Sequence, residues 1–329
     1  MKADLLEVLI CPRCHGRLEL ISLDAHDGLI ETGVMICSRC GCPYLIEAGI
    51  PNMLADDLPR MAEKKREARG WVEISQKENW YIPTPEIDLA LPDVVGKLGW
   101  DPKEASGWLA TKHSFEEMMA TYVRPGMRVL EIGAAKTWAG RMFVEVGCSY
   151  CACDIVADPN IGLGRARFFM EQSGCHYEVV AADAENLPFV SDHFDLVFAI
   201  AALHHALDLP KMLQEMTRVT RKGGILAGLN EGIRSFRANP NAASQEDEKT
   251  YGINEHVHTL WGYYRAFAAS NLRVLEMKRA IGYEWFIPEE YKPRLARLRQ
   301  VPQLGEWLAA IAVMGFRHEY DGVTIYARK

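Results

Sequence analysis

Met127-Arg128-Val129-Leu130-Glu131-Ile132-Gly133-Ala134-Ala135-Lys136-Thr137 is an apolar run that ends in a turn of small residues, and a helical pattern from Trp138 to Val146, closed by Gly147, follows it. The alternation recurs. Tyr150 to Ile155, Tyr177 to Ala181, Phe194 to Ile200 and Gly224 to Asn230 are further short apolar runs, with helical spacing in Gly164 to Gln172 and Leu209 to Thr220. Strands alternating with helices predict right-handed crossovers and an α/β, doubly wound, mostly parallel sheet covered on both faces. Leu272 to Lys278 and Val323 to Ala327 complete a seven-stranded Rossmann-like set.

In such a sheet a ligand sits beyond the carboxyl ends of the strands, at the switch point. The small-residue turn after the first strand lets a ligand approach backbone amides closely. Asp154 ends the second strand, where a carboxylate accepts both hydroxyls of a ribose. Asp183 follows the third strand, placed to accept from an adenine amino group. The fourth strand runs into Ala201-Ala202-Leu203-His204-His205. Each feature alone is weak, since an Asp after a strand is commonly a helix cap. Their order on successive strands is what carries the reading.

A second signal lies at the start of the chain, where Cys11-Pro12-Arg13-Cys14 is answered by Cys37-Ser38-Arg39-Cys40. Two CxxC hooks about twenty residues apart supply the four soft ligands of a structural Zn²⁺. Free thiols or a disulfide framework are the alternatives. Zinc is favoured because a segment of this size has too little core to fold without a staple. Cys42 is extra to the quartet. Cys148, Cys151, Cys153 and Cys175 lack framework spacing and read as buried free thiols in a reducing cytoplasm.

With 329 residues, 49% hydrophobic and 25% charged, the chain has the composition of an ordinary soluble protein. The first ten residues include Asp4 and Glu7 and no long apolar run, so neither a signal peptide nor a membrane span is expected. The net charge of −7 opposes a nucleic-acid partner, the more so because Met1 to Asp57 holds four Lys/Arg against nine Asp/Glu. The expected organisation is a zinc ribbon over 1–57, a connector and possible lid over 58–120, and the α/β domain over 121–329 with an insertion at 281–321. Arg60 to Arg69 reads as a solvated connector helix. Trp71 to Trp100, rich in aromatics and prolines, reads as irregular chain wrapped over a neighbouring surface.

Tyr122 to Arg279 resembles class I S-adenosylmethionine-dependent methyltransferases, through Val129-Leu130-Glu131-Ile132-Gly133, Asp154, Asp183 to Phe189, Phe194-Asp195-Leu196-Val197 and Arg218 to Gly224. The resemblance implies that Glu131 and the Gly133 to Ala135 backbone hold the methionine part of the cofactor. It implies Asp154 on the ribose, Ile155 packed on adenine, Asp183 and the Ala184 amide on the adenine edge, and Ile200 at the same crevice. The chain departs from the family at Ala135, where Gly is usual. The first fifty-seven residues resemble the small zinc-ribbon activator proteins that partner methyltransferases, through Leu5 to Cys14, Cys37 to Gly41, Tyr44-Leu45-Ile46 and Gly49 to Leu54; here the ribbon is fused in cis.

Methyl transfer is an in-line displacement, so alignment and exclusion of water come first, and His204 and His205 are the candidates for removing a proton. Asn230 and Glu231 are expected to face the same crevice, with His256 and His258 as candidates to close it. The chain has neither an Asn/Asp-Pro-Pro-Tyr nor a Pro-Cys after the fourth strand. These absences leave O-, N- or C-methylation of a small-molecule acceptor as the favoured chemistry, with Tyr283, Trp285, Phe286 and Trp307 of the insertion expected to wall a pocket. A tRNA wobble-uridine methyltransferase and a noncatalytic binding protein of the same fold are the competing readings.

Overall fold

The computed structural model describes residues 1–234, 246–256, 258–279, 290–302, 305, 308 and 321–329. Two sheets organise them. The first is antiparallel, in the order β1 (Leu18–His26), β2 (Leu29–Cys37), β3 (Pro43–Glu47) and β4 (Ile50–Pro51). A connector follows, with helices α1 (Met61–Lys77), α2 (Pro85–Ala90), α3 (Val94–Leu98) and α4 (Ser106–Tyr122). The second sheet is built from β5 (Arg128–Ile132), β6 (Ser149–Asp154), β7 (Glu178–Ala181), β8 (Phe194–Ile200), β9 (Thr220–Ile233), β10 (Arg273–Arg279) and β11 (Asp321–Arg328). Helices α5 (Gly140–Glu145), α6 (Ala166–Ser173), α7 (Leu209–Val219), α8 (Glu246–Thr250), α9 (Leu260–Ala269) and α10 (Lys292–Arg299) complete the described elements.

The strand order is β10-β11-β9-β8-β5-β6-β7, with β11 antiparallel to both its neighbours and β5 to β9 pairing in parallel. This is the expected Rossmann-like sheet. The crossover from β6 into β7 lies on one side of β5 and that into β8 on the other, so the switch point falls beside β5. Val129, Leu130, Leu196, Val197 and Phe198 are wholly buried, as strands covered on both faces require.

β7 is the edge of the large sheet, and a bare edge is a template for unwanted pairing. The N-terminal segment covers it. Asn52 bridges Ala181 in parallel, Met53 N–H donates to the Ala181 carbonyl at 2.8 Å, and Leu9 bridges Phe189 with Ile10 N–H on the Pro188 carbonyl at 2.9 Å. Leu5, Leu9, Met35, Tyr44, Ile46 and Met53 belong to the same apolar core as Leu130, Val180, Leu187 and Phe189. One continuous core therefore spans both sheets.

Two expectations about the connector are corrected. α1 is not a solvated helix: Met61, Lys64, Glu67, Gly70 and Ile74, three to four residues apart, form a buried stripe. Trp71 continues that helix, and Pro85 sits at its permitted place in the first turn of α2, so Trp71 to Trp100 is largely helical. The insertion aromatics Tyr283, Trp285, Phe286 and Trp307 lie outside the described residues.

Phe189 is fully buried where the ribbon meets the sheet. Phe189→Ala is expected to destabilise the chain by about 3–5 kcal/mol, measured by urea unfolding. A loss below about 1 kcal/mol would show that the two sheets do not share a core.

Candidate active site

A cavity of about 440 Å³ opens at the carboxyl ends of β5, β6, β7 and β8. Gly133, Ala135, Asp154, Ile155, Asp183, Ala184, Ile200 and His205 all line it. Strands far apart in sequence thus bring eight of the ten anticipated cofactor and catalytic residues to one surface.

The turn after β5 is left-handed at three alternate positions, Gly133 (φ +69°), Ala135 (φ +43°) and Thr137 (φ +64°). Gly133 is obligatory, since a Cβ there would meet that of Ala202 at 2.5 Å. Ala135 and Thr137 hold a conformation that costs a residue with a Cβ about 1–2 kcal/mol. What holds them is visible: Ala135 N–H donates to Asp154 Oδ2 at 2.8 Å, and Thr137 Oγ1 lies 2.9 Å from the Tyr177 hydroxyl. Thr137 is a second strained position besides Ala135, and its only sequence signal is a β-branched residue in a small-residue turn.

Asp154 also accepts from Val156 N–H at 2.8 Å, and burial raises its pKa. Two backbone amides leave its carboxylate about two lone-pair sites for a ligand. Asp183 is more heavily engaged. Oδ1 takes Lys64 Nζ and the Glu185 amide at 3.0 Å, and Oδ2 takes Asn186 Nδ2 at 2.5 Å. Lys64 Nζ also lies 3.1 Å from Glu185.

Sequence reasoning missed Lys64. With Glu67 and Trp71 it stands at i, i+3 and i+7 of α1, and all three line the cavity. The signal was present as the three-to-four spacing running from Met61 to Ile74, masked by the charges of the intervening residues. Trp80, Trp108 and Trp138 add to Trp71, and Ile87 and Leu91 of the α2 region supply further apolar wall. Asp88, with no exposed side-chain surface, binds Lys136 Nζ at 3.1 Å and Arg165 Nε at 2.8 Å, fixing α2 over the turn after β5.

Other expectations are corrected. His204 is not among the lining residues, and its Nδ1 is 2.9 Å from Glu231 Oε2. Only His205 of the pair reaches the cavity. Its Nδ1–H donates to the Asn254 carbonyl at 2.6 Å, and the Trp71 ring meets it edge-on. Burial and the His204 charge pull His205 down to about 3, whereas burial pushes Glu67 up to about 8. Asn230 and Glu231 do not share the crevice. Asn230 donates to Thr111 Oγ1 of α4 at 2.9 Å, while Glu231 accepts from the Ala202 and Leu203 amides at 3.0 and 3.1 Å. His256 is exposed and His258 packs on Tyr263, both outside the lining.

Glu131 also stands outside the lining residues. Its carboxyl is buried beneath the turn and bonded to the Tyr150 hydroxyl, so it supports the turn from behind and does not touch the cavity. Burial pushes it up to about 8, against the opposing Tyr150 bond, and the Asp154 charge adds to the shift. The unfolded chain releases this proton near 4.5 and the folded chain near 8, so the folded state binds more protons between them. Stability from this group therefore falls as pH rises from 4.5 to 8. Urea midpoints at pH 5 and pH 8 are expected to differ less in Glu131→Gln than in the parent chain.

In the small domain, Cys11, Cys14, Cys37 and Cys40 bring their sulfurs within 4.8 Å of one another, with 3.6 Å between Cys11 and Cys40 and 3.5 Å between Cys14 and Cys37. A tetrahedron of Zn–S bonds of about 2.3 Å has edges of about 3.8 Å, so the quartet fits that ion. Cys42 stands outside it. Among the described residues no helix is long and apolar enough to cross a membrane.

Comparison with known proteins adds two matches in different parts of the chain. Residues 130–228 match the methyltransferase domain family, and residues 2–49 match the Trm112p-like protein family. A demethylmenaquinone methyltransferase of Corynebacterium urealyticum is 36% identical over 105 residues, 31% of this chain and 41% of the relative. A malonyl-[acyl-carrier protein] O-methyltransferase of Enterobacter lignolyticus is 34% identical over 117 residues, 35% of this chain and 44% of the relative. The chain thus spans about two fifths of these curated relatives. Among solved structures, geranyl diphosphate C-methyltransferase of Streptomyces coelicolor shares the fold, with a TM-score of 0.54 at 16% identity over 82% of this chain and 99% of that one. Segments that match the Trm112p-like and the methyltransferase-domain families are therefore present in one polypeptide.

Proposed function

We propose that the chain is an S-adenosylmethionine-dependent methyltransferase acting on a small, largely apolar acceptor, with Zn²⁺ held by Cys11, Cys14, Cys37 and Cys40. The observation that carries this reading is the cavity itself. A ribose-competent Asp154, a base-edge Asp183 and a close-approach turn at Gly133 adjoin a chamber walled by Trp71, Trp80, Trp108 and Trp138. The names of the two curated relatives, a demethylmenaquinone methyltransferase and a malonyl-[acyl-carrier protein] O-methyltransferase, support a small acceptor group. The net charge of −7 and the apolar wall disfavour RNA.

The cofactor, when bound, supplies an electrophilic methyl group on a sulfonium. The residues of this chain do the rest. Asp154 and Asp183, with the Ala184 amide and Ile155, hold the nucleoside; the Gly133 to Ala135 turn, whose amides are tied to Cys153 and Asp154, lies against the methionine part. The tryptophan wall excludes water and aligns the acceptor, which is where most of the acceleration of a displacement resides. His205 and Glu67 mark the polar end of the chamber, and His205 rather than His204 is the residue of the pair assigned to the acceptor.

Asp154→Ala and Asp183→Ala are each expected to weaken S-adenosylhomocysteine binding roughly tenfold to a hundredfold, the loss of a hydrogen bond to a charged group, read by calorimetry. Unchanged affinity in both would remove the site assignment. Cys37→Ser is expected to lose zinc and to lower the melting temperature, since metal binding and folding of so small a unit are coupled; metal analysis of the purified variant checks it. Turnover of small quinol, carboxylate or thioester acceptors against bulk tRNA separates the two substrate classes.

A further inference from the structure

We propose that His204, His205 and Glu255, backed by Glu67, Glu231 and Glu248, form a second metal site for a first-row divalent cation beside the cavity. The donor atoms of the three lie within 4.8 Å of one another. They arrive from the end of β8 and from the loop after α8, while the backing carboxylates come from α1, β9 and α8. The site is independent of the cofactor assignment.

Both imidazoles are set up as ligands. His204 donates Nδ1–H to Glu231, whose side chain has no exposed surface, and His205 donates Nδ1–H to the Asn254 carbonyl. In the neutral ring Nε2 is then the nitrogen that a metal would take, displacing the proton that, against burial, the surrounding carboxylates favour on His204. A second-shell acceptor on the far nitrogen is the usual support of a metal-binding histidine, because it fixes tautomer and orientation.

The spacings agree. His204 Nε2 lies 3.8 Å from Glu255 Oε2, His205 Nδ1 lies 3.7 Å from Glu255 Oε1, and the same ring nitrogen is 3.6 Å from Glu67 Oε1. These are too long for hydrogen bonds. The His204 Nε2–Glu255 Oε2 spacing falls within the ~3.0–4.2 Å that separates two ligands on metal bonds of about 2.1 Å, and His205 would offer its Nε2, since its Nδ1 is held by Asn254. The side chains of Glu67, Glu231 and Glu255 are only 5%, 0% and 4% exposed, and Glu248 Oε2 is buried with no hydrogen-bond partner. The buried cation nearest in sequence to Glu67, Lys64, is committed to Asp183 and Glu185. Glu231 and Glu255 both face the His204 ring, and Glu248 lies against Glu255, so several buried carboxyl groups share one imidazole, and a divalent ion would neutralise them more fully than a single imidazolium. Two imidazoles with carboxylates suit Zn²⁺, Mn²⁺ or Fe²⁺ better than an all-oxygen ion. Because His205 and Glu67 also line the cavity, a cation here stands where an acidic oxygen of the acceptor would meet it.

The test is metal content of the full chain after loading with Zn²⁺ or Mn²⁺ and desalting. Two metal equivalents per chain are expected, the ribbon accounting for one, and Glu255→Gln should retain only one while keeping the parent melting curve. Should Glu255→Gln fail to fold, Glu248→Gln and His205→Asn carry the same measurement, each with affinity for the second equivalent down at least tenfold. One equivalent in the parent chain with either metal, or a second equivalent held equally well by the folded variants, would overturn the proposal.

Discussion

The interaction on which the rest of the site depends is the buried contact of Lys64 with Asp183 and Glu185. Three charged groups, each nearly or wholly without exposed surface, meet at the carboxyl end of the large sheet. Buried charges are tolerated only as a matched set, and removing one member of such a set costs about 3–5 kcal/mol because the others stay unpaired. Lys64 is thereby obliged to point inward. That obligation rotates α1 so that Glu67 and Trp71, on the same face, also reach the cavity. Glu185 in turn accepts from the Leu207 and Asp208 amides at 2.9 and 3.0 Å, which ties the start of α7 to the same network.

A second constraint acts at the edge of the sheet. β7 would present unpaired backbone groups to solvent, and the N-terminal segment supplies partners at its end through Asn52 and Met53, while Leu9 and Ile10 pair with Phe189 and Pro188 beyond it. α1 begins a few residues after this contact. The small domain therefore has two attachments to the large one, a backbone contact along β7 and a helix whose polar face enters the cavity. Its contribution to the proposed active site is carried by α1, since none of the quartet cysteines lines the chamber.

Much of this was legible from one sequence. Alternating apolar runs and helical spacings give the sheet because the period of the apolar pattern is a local property of each segment. Asp154 and Asp183 were recognisable because each follows a strand whose end points to the switch point. The cysteine quartet was recognisable because ligand spacing is written along the chain. The side chain of Glu131 was less legible: a strand-end acid can face the cavity or lie beneath the turn, and Tyr150 on the neighbouring strand holds it. The contact of His204 with Glu231 was not legible either, because Glu231 lies on β9.

The sequence by itself determined the two domain types, the parallel sheet and the strand ends that form the crevice, since these follow from short-range pattern and spacing. Tertiary structure alone decided that α1 is a wall of the cavity, that His205 rather than His204 faces it, and that carboxylates from α1, β9 and α8 gather around the histidine pair. Those outcomes turn on which buried charges find partners across contacts of twenty-seven to more than a hundred residues. Compensation of a buried charge is a property of the packed interior and has no signature in the run of residues that carries it.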